Sequence, residues 1–458
     1  MQMRYLAIGL AAMVLVRAMP GYAAGPDQAN RPNETAIAPE PSPEENETAV
    51  LPEPSSEEME LPLPDESMPS DRLCRCLPPR QPAWYFQADA LALRREFSSD
   101  RSFAALAQAE WTEAENPNFV DPPTEGEDQR TEEERARYLW SGTTSFSNAL
   151  TVDDTNLDHF QGGGRLLLGR TLGANSAVEV AYFDMADWRG TAVVRDNTPI
   201  IVAANKYAEE AGDLQPFMTL PGSLFSPLSE FGAWVDPVTF PSQIPFDGNN
   251  LTEIRYSSSL NNLEGSFRHW MVRVPEYFQA SLLLGVRYMN VDEAFFYHAE
   301  RDAIVPAEGL TVSAASTSVT TDTANPLIGA QIGGTYEIRV TRGWWLDGEL
   351  KFALMNNSAS QETLFVHDGD DDYQGTHLER AERNTIASAV DATFATKISL
   401  SRHVTLDVGY QLLYVSGLAL ASNNFSDDPD ILLSGPGSVL TNGSVLYHGA
   451  HVGLMCVW

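Results

Sequence analysis

One acidic segment has the residue types of a calcium-binding loop. In "HDGDDDYQGTHLE", Asp368, Asp370 and Asp372 alternate, and Glu379 stands where such a loop places its bidentate carboxylate. Tyr373 occupies the position where the loop needs glycine for its sharp turn. The pattern therefore favours a solvated acidic segment, and it leaves a diffuse attraction of divalent cations to the acidic loops as the alternative.

Hydrolytic chemistry has little support in the residue pattern. The sequence contains neither a Gly-x-Ser-x-Gly elbow nor a His-Glu-x-x-His motif. His298, His367 and His377 lie near acidic residues, but 8 histidines in 458 residues will meet acids by chance. We predict no enzyme and no cofactor, and an outer-membrane hydrolase acting through these histidines is the most distant alternative.

Apolar and polar residues alternate over most of the chain after residue 80. In "FQASLLLGVRYMN", Phe278, Leu284 and Val286 share one face, and Gln279 and Arg287 share the other. A helix would distribute these residues around its axis, whereas a β-strand separates them. The same alternation predicts strands near 84–93, 160–170, 177–188, 259–270, 278–290, 326–338, 344–354, 386–398, 403–415 and 446–458.

Two all-β architectures could use this alternation. The apolar faces would meet in the core of a soluble sandwich, or they would contact lipid while the polar faces enclose a lumen. The runs last about 10 to 13 residues, which suits a tilted membrane strand. Aromatic residues such as Trp344, Tyr414 and Trp458 gather near strand ends, where interfacial girdles lie. We therefore predict a single transmembrane antiparallel β-barrel.

The joins between the predicted strands alternate in length, which indicates short periplasmic turns and long extracellular loops. Ten strands are predicted, or twelve if "TAVVRDNTPIIVAANKY" adds a hairpin. The last strand, which ends at Trp458, is expected to pair with the first so that no edge stays unpaired in lipid. The short joins are 171–176, 271–276, 341–343 and 399–402, and the long ones span 94–159, 189–258, 291–325, 355–385 and 416–445.

Charged residues of both signs occupy the predicted inward faces. In a narrow barrel they must pair or contact water, because a lone buried charge is costly. Two outcomes stay open: a salt-bridged plug that stiffens the barrel, or an aqueous path with a weak preference for cations. The candidate pore-lining residues are Asp89, Arg165, Glu179, Glu264, Arg268, Arg287, Glu337, Asp347, Glu349, Lys351, Asp391, Lys397 and Asp407.

The first eighty residues have the composition of an export signal and a spacer. Arg4, an apolar run and Gly21-Tyr22-Ala23 predict a cleaved signal peptide over residues 1–23. Residues 24–80 are rich in Pro and Glu and predict a disordered periplasmic spacer, so the barrel would span 81–458. The formal net charge of -34 argues against a nucleic-acid partner.

Several segments resemble one family. "AWYFQADALALRRE", "GGGRLLLGRTLGANSAVEVAYFDMADW", "LNNLEGSFRHW" and "LLLGVRYMNVDEAFFY" are similar to the beta-barrel porin family numbered seven in its series. The resemblance runs from about Trp84 to Trp458, with the loops unmatched. It implies an outer-membrane location and pore-like behaviour, and it supplies no catalytic residues. The end of the chain at Trp458 also resembles the strand that such barrels present to their insertion machinery.

These observations give two main functional hypotheses. The first is a narrow porin-like passive channel for small solutes or ions. The second is a non-conducting surface, adhesive or scaffolding barrel that acts through its large loops. The expected location is the outer membrane of a Gram-negative-type bacterium after signal-directed export, with membrane lipid and the barrel-insertion machinery as partners.

Overall fold

The computed structural model describes residues 84–96, 101–115, 138–203, 217–231, 245–274, 277–305, 312–434 and 438–458. These residues belong to one compact unit, Cys76–Trp458. The predicted signal peptide and the predicted spacer lie outside the described residues, so both stay predictions.

Strands account for most of the described residues. Two short 3-10 helices, Val152–Thr155 and Pro227–Ser229, and one α-helix, Pro429–Ser434, lie in the connections. Among the described residues, no helix is long and apolar enough to cross a lipid bilayer. The strands are β1 Trp84–Glu96, β2 Ser102–Glu115, β3 Tyr138–Thr151, β4 Phe160–Thr171, β5 Ser176–Met185, β6 Trp188–Arg195, β7 Ile200–Ala203, β8 Phe217–Leu220, β9 Leu224–Phe225, β10 Leu251–Val274, β11 Phe278–Arg301, β12 Ala315–Thr341, β13 Trp344–Asp368, β14 Gly375–Ser399, β15 Val404–Leu418 and β16 Gly443–Val457.

The large sheet closes on itself. Its strands pair in the order β1, β4, β5, β10, β11, β12, β13, β14, β15, β16 and back to β1. Every one of these pairings is antiparallel. The predicted all-β class and antiparallel sheet are therefore confirmed, and each of the ten predicted strand segments overlaps one strand of this cycle.

The segment "TAVVRDNTPIIVAANKY" adds no hairpin to the cycle within the described ranges. β5 pairs with one part of β10, Asn261–His269, and β6 continues along the remaining part, Leu251–Ser258. β7 pairs with β8 in a separate two-stranded sheet, and β2 pairs with β3 and β9 in a three-stranded one. The closed cycle contains ten strands within the described residues, and the exact strand count of the barrel stays a prediction.

The last strand closes the cycle, as predicted. β16 pairs with β1 from Tyr85 opposite Val457 to Glu96 opposite Leu446. The backbone groups of Trp84 and Trp458 exchange two hydrogen bonds of 3.1 and 3.0 Å. The edge of the first strand and the edge of the last strand therefore satisfy each other's backbone hydrogen bonds.

Short connections gather at one end of the barrel. β4 and β5 are joined by 172–175, β12 and β13 by 342–343, and β14 and β15 by 400–403. Gly343 has a φ of 81°, a left-handed conformation that glycine adopts without a steric cost, which permits the two-residue turn. We call the half of the barrel next to these connections the turn half, and the opposite half the loop half.

Five strands are about twice as long as predicted. β10 to β14 have 24, 24, 27, 25 and 25 residues. The prediction of long loops over 291–325 and 355–385 was therefore wrong, because only 302–314 and 369–374 connect the strands there. The strands keep their alternation, but the polarity of their two faces reverses near the middle. A prediction that follows apolar outward residues therefore ends each strand at that reversal.

The outward face of the turn half is apolar and exposed. Val286, Leu350 and Ile386 are 63%, 58% and 73% exposed. The neighbouring residues on the inward face, such as Arg287 and Lys351, carry charge and point away from the surface. This arrangement excludes the sandwich alternative, since the large apolar side chains do not pack against a second layer.

The loop half has the opposite arrangement. Its inward face holds a hydrophobic core that includes Phe295, Tyr297 and Phe365. β2 and the connection between β15 and β16 contribute Phe103 and Phe425 to this core. Phe103 lies 4.6 Å from Phe295 and 5.2 Å from Phe425 between ring centroids. Segments from outside the cycle therefore fill the interior of the loop half.

Candidate functional site in the barrel lumen

The interior of the turn half collects the predicted charged residues. All thirteen lie on inward-facing positions, and each contacts another ionisable side chain of the lumen. Together they comprise eight carboxylates and five cations, so the carboxylates are in excess. Whether these residues line a conducting path stays a prediction.

The central group crosses the lumen. Arg287 on β11 donates to Glu264 on the neighbouring β10 and, at 2.7 Å, to Asp391 on β14. Because β12 and β13 lie between β11 and β14 in the cycle, the pair of Arg287 and Asp391 spans the interior. Lys351 binds Glu264 at 3.0 Å and Glu349 at 2.6 Å. These contacts connect four strands through charge-assisted hydrogen bonds.

A second group lies around Arg268. Its guanidinium makes a bidentate contact with Glu179 at 2.6 and 3.1 Å, and it lies 3.6 Å from Glu349. The Tyr85 hydroxyl also donates to Glu179, at 2.5 Å. Thr335 on β12 accepts from Arg268 at 2.9 Å. This group therefore joins β1, β5, β10, β12 and β13.

A third group belongs to β12, β13 and β14. Lys397 binds Glu337 at 2.9 Å and Asp347 at 3.0 Å. Glu337 and Asp347 are opposite each other in the pairing of β12 with β13. One ammonium group thus bridges two adjacent carboxylates that would otherwise repel each other.

The fourth group lies at the seam between the first and last strands. Arg165 binds Asp89 at 2.6 Å. Gln87 donates from the same amide nitrogen to Asp89 and Asp407, both at 2.9 Å. His451 lies 3.6 Å from Asp407, measured from Nε2 to Oδ1.

A cavity of about 570 Å³ separates parts of these groups. Its wall includes Glu179, Glu337, Asp407 and His451, and it reaches Val457 at the turn end of β16. A cavity of this size is within the range of small-ligand sites. The turn half therefore contains both cross-lumen ion pairs and enclosed space for water or small solutes.

Neutral polar residues that the sequence prediction left out complete the network. Gln87, Gln331, Gln411 and His451 are all buried on inward positions. Gln331 donates to Ser266 at 2.8 Å, and Gln411 donates to Asp391 at 3.0 Å. Alternation places these residues inward as well, but a selection by charge alone passed over them.

An ion pair lies within the hydrophobic core of the loop half. Arg95 on β1 pairs with Glu293 on β11, and both side chains are fully buried. Tyr256 donates to the same carboxylate at 2.6 Å, and the backbone nitrogen of Ala421 donates to it at 3.0 Å. Glu293 therefore fixes the connection between β15 and β16 inside the barrel.

The predicted loop histidines His298, His367 and His377 lie on β11, β13 and β14. His298 lies 3.0 Å from Glu300 on its own strand. Buried His367 contacts the Thr317 hydroxyl at 2.7 Å and Asp371 at 2.9 Å, which holds the connection 369–374 against β12. No three His, Cys, Asp or Glu side chains in the described part of the chain are grouped as metal ligands.

The acidic segment after β13 is not a calcium loop. Asp368 is the last residue of β13, and Glu379 lies inside β14, opposite Thr363. The six residues 369–374 close a hairpin, so the carboxylates of the two strands cannot wrap around one ion as the loop requires. Diffuse attraction of divalent cations to the acidic segments stays a prediction.

One carboxyl group of the loop half has a strongly shifted pKa. Burial raises the pKa of Asp247 to about 7, although Ser229 and the backbone of Ser226 donate to it and Arg301 lies nearby. Its Oδ2 atom has no hydrogen-bond partner among the described residues. Ionisation of Asp247 in the folded loop half is therefore costly, because it places a charge in a buried site.

The closed antiparallel cycle, with its apolar outer belt and charged interior, defines a porin-like β-barrel as the class of protein. Residues 236–458 match the model of the family described as "Putative beta barrel porin-7 (BBP7)". This match confirms the family predicted from the sequence, and the resemblance before residue 236 stays a prediction. No curated protein matches the chain.

Solved structures with a similar chain course include the following three outer-membrane proteins. The outer membrane protease OmpT from Escherichia coli is 11% identical, with 82% of this chain and 96% of that chain covered and a TM-score of 0.35. The major outer membrane protein from Thermus thermophilus is 10% identical, with 82% and 100% covered and a TM-score of 0.25. The toluene transporter TodX of P. putida is 7% identical, with 82% and 90% covered and a TM-score of 0.19. Similarities this low carry no argument about function.

Proposed function

We propose that this chain is an outer-membrane β-barrel that is closed in its resting state and acts through its structured loop half. The turn half would lie in the membrane with its short turns in the periplasm. From Trp344 to Leu354 the outward side chains of β13 are apolar, and the ten steps of ~3.3 Å between these two residues, tilted by ~40°, give a belt roughly 25 Å tall. That height is typical of the apolar band of such barrels.

The observation that carries the closed state is the packed interior of the loop half. Phe103, Phe295 and Tyr297 are completely buried there, around Phe425. The cross-lumen pair of Arg287 and Asp391 adds a second barrier in the turn half. A permanently open pore needs a continuous aqueous path, and these two layers of side chains oppose one.

If the barrel is closed, its function depends on the exposed surface of the loop half. Its long strands carry polar outward residues such as Ser358, Asp322 and Glu362, which suits contact with water. The ion pair of Arg95 and Glu293 and the aromatic core hold this half rigid. We therefore favour a surface role, as a scaffold or adhesive structure, over bulk transport.

A narrow passive channel is the second candidate. The family match to porins and the charged cavity of about 570 Å³ support it. Under this hypothesis the carboxylate excess would favour cations, and the loop-half segments would have to move. A hydrolase is a third and more distant candidate, and turnover that disappears on mutation of a loop histidine and its acid partner would be required to support it.

The membrane partners follow from the outward face. Lipid would contact the apolar belt, and β16 would serve as the signal for the insertion machinery. Val452, Leu454 and Trp458 are about half exposed on the outward side of β16, which suits recognition of this strand before the barrel closes. A Trp458→Ala variant that inserts as efficiently as the unmodified chain would contradict this part of the proposal.

Planar-bilayer recording tests the closed state. The purified chain, shown to be folded by its heat-dependent migration on a denaturing gel, should give no steady single-channel steps. Phe295→Ser should weaken the loop-half core and produce intermittent conductance. Phe296→Ser is the matched control, because this adjacent aromatic residue faces outward and contacts Arg255. Steady steps of uniform size from the unmodified chain would overturn the closed state and favour the channel.

A further inference from the structure

His451 has the environment of a ligand without its partner. The imidazole is 2% exposed, and both ring nitrogens lack a hydrogen-bond partner among the described residues. The ring lies over Gly409 of β15, where a Cβ atom would come within 2.5 Å of its Cε1 atom. Glycine at this position thus makes room for the ring, which lines the cavity. A buried polar group left unpaired in this way calls for an explanation.

Asp407 presents a second unpaired atom to the same space. Its Oδ2 atom accepts from Gln87, which orients the carboxylate, whereas Oδ1 has no hydrogen-bond partner in the described part of the chain. Oδ1 lies 3.6 Å from Nε2 of His451, which is too long for a hydrogen bond. Two ligand atoms at 2.0–2.2 Å from one tetrahedral zinc ion would be about 3.4 Å apart. The two atoms are therefore spaced as ligands of a shared ion.

Gln411, further along β15, does not belong to this pair. Its amide nitrogen donates to Asp391 at 3.0 Å. Gln411 lies four residues from Asp407, about 13 Å along the strand, which is too far for both side chains to bind one ion. Gln87 thus remains the group that orients Asp407, as outer-shell groups do in metal sites.

The charge of the lumen also favours a bound cation. Eight of the thirteen predicted lumen residues are carboxylates and five are arginine or lysine. Arg165 and Lys397 are the cations nearest to the seam, and both are already paired with other carboxylates. The direct side-chain neighbours of Asp407 are Gln87 and His451. A bound divalent ion would compensate part of the excess.

We propose that His451 Nε2 and Asp407 Oδ1 bind one divalent ion of the zinc class, with cavity water completing the coordination. Imidazole with carboxylate oxygen is a donor set that suits zinc. The cavity reaches Met455 and Val457 at the turn end of β16, which gives an entry path from that side. With only two strong protein ligands, the site would bind more weakly than a structural site with four. The proposal holds whether or not the barrel conducts ions.

Calorimetric titration of the chelator-treated, detergent-solubilised chain with zinc chloride tests the site. One saturable site is expected, and His451→Gln and Asp407→Asn should each lower the affinity about 10–100-fold, the range known even for outer-shell partners of metals. His448→Gln is the matched control, because His448 lies on the same strand, faces outward and contacts Glu96 at 3.0 Å. This control and Cys456→Ser should leave the affinity within about twofold.

Three results would overturn the site. These are no zinc binding by the unmodified chain, binding that His451→Gln and Asp407→Asn leave unchanged, or calcium binding as tight as zinc binding. If either variant fails to fold, the visible absorption spectrum of cobalt bound to the unmodified chain tests the site instead. Cobalt should produce the intense visible bands of a tetrahedral site and be displaced by one equivalent of zinc, and a spectrum of hydrated cobalt alone would refute the proposal.

Discussion

The two halves of the barrel use the same strands in opposite ways. On β13, outward Leu350 and Leu354 are exposed apolar residues, whereas outward Ser358 and Glu362 are polar. The inward residues of β13 change in the opposite sense, from the charged Lys351 in the turn half to the apolar Phe365 in the loop half. The parity of the strand does not change between the two halves, so the environment outside the wall, and not the strand itself, decides which face is apolar.

The interiors differ for the same physical reason. In the loop half, water outside drives apolar side chains into the core, and one buried pair, Arg95 with Glu293, accompanies that core. In the turn half, lipid outside would be as apolar as any core, so burying apolar side chains gains little. Polar and charged side chains therefore connect the walls there, as Arg287 does.

The largest expected effect comes from removing the cross-lumen ion pair in the interior of the turn half. Arg287→Met removes the cation between Glu264 and Asp391 and should lower the free energy of unfolding by about 3–5 kcal/mol, because it leaves the buried Asp391 carboxylate without its cation. Urea titration of the barrel in lipid vesicles measures this change. Combining Arg287→Met with Glu264→Gln and Asp391→Asn should restore most of the loss. A single variant within about 1 kcal/mol of the unmodified chain would show that the pair does not hold the wall.

The second expected effect is a pH dependence of the stability of the loop half. The raised pKa of Asp247 means that the folded state favours the protonated carboxyl group. The contribution of Asp247 to the stability of the folded state is therefore most favourable below about pH 4. Stability of the loop half should fall as the pH rises from about 4 to about 7 and then level off, by up to ~4 kcal/mol. Hydrogen exchange of residues 245–250 across this range follows the loss. Asp247→Asn should flatten the pH dependence, and an unchanged slope in that variant would rule out Asp247 as its source.

The third effect compares outward positions. Leu350→Arg would place a charge at the middle of the apolar belt and should cost about 2–4 kcal/mol in vesicles. Ser358→Arg, on the same strand and face but in the loop half, should change the stability by less than about 0.5 kcal/mol. Equal costs at the two positions would mean that both faces meet the same medium.

The smallest effect tests the loop-half core. Tyr256→Phe removes the hydroxyl that donates to Glu293 and should lower the stability by about 1.5–3 kcal/mol, because the hydrogen bond is to a charged group. Tyr336→Phe is the control, since this tyrosine is exposed on the outward face of the turn half, and it should be almost neutral. A Tyr256→Phe loss no larger than that of the control would contradict the role given to Glu293.

The alternation of side chains accounts for what could be predicted. It located each strand of the cycle and placed residues such as Arg287 and Lys397 inward, because a β-strand has a period of two whatever its surroundings. It also contains the signal for His451 and Gln411, which lie on the same inward faces. Selecting only charged residues discarded that signal.

The remaining features depend on contacts that alternation does not encode. Phe103 and Phe425 enter the lumen from connections between strands, and their partners, such as Phe295, are more than a hundred residues distant in the chain. The strand segments 291–301, 315–325, 355–368 and 375–385 fall in regions that the sequence predicts as loops, because their outward residues become polar. The carboxylates of the acidic segment match a loop pattern in spacing, but Asp368 and Glu379 lie in the extended strands β13 and β14, with only 369–374 between the strands.

Spin labels along β13 test the central claim, the reversal of polarity between the halves, most directly. In a chain whose three cysteines are replaced by serine, single labels at outward positions 346, 350, 354, 358 and 362 would be measured in lipid vesicles. Labels at 346, 350 and 354 should be relaxed mainly by oxygen, which concentrates in lipid, and labels at 358 and 362 mainly by a water-soluble nickel complex. Preferential relaxation by the nickel complex at all five positions would contradict the account.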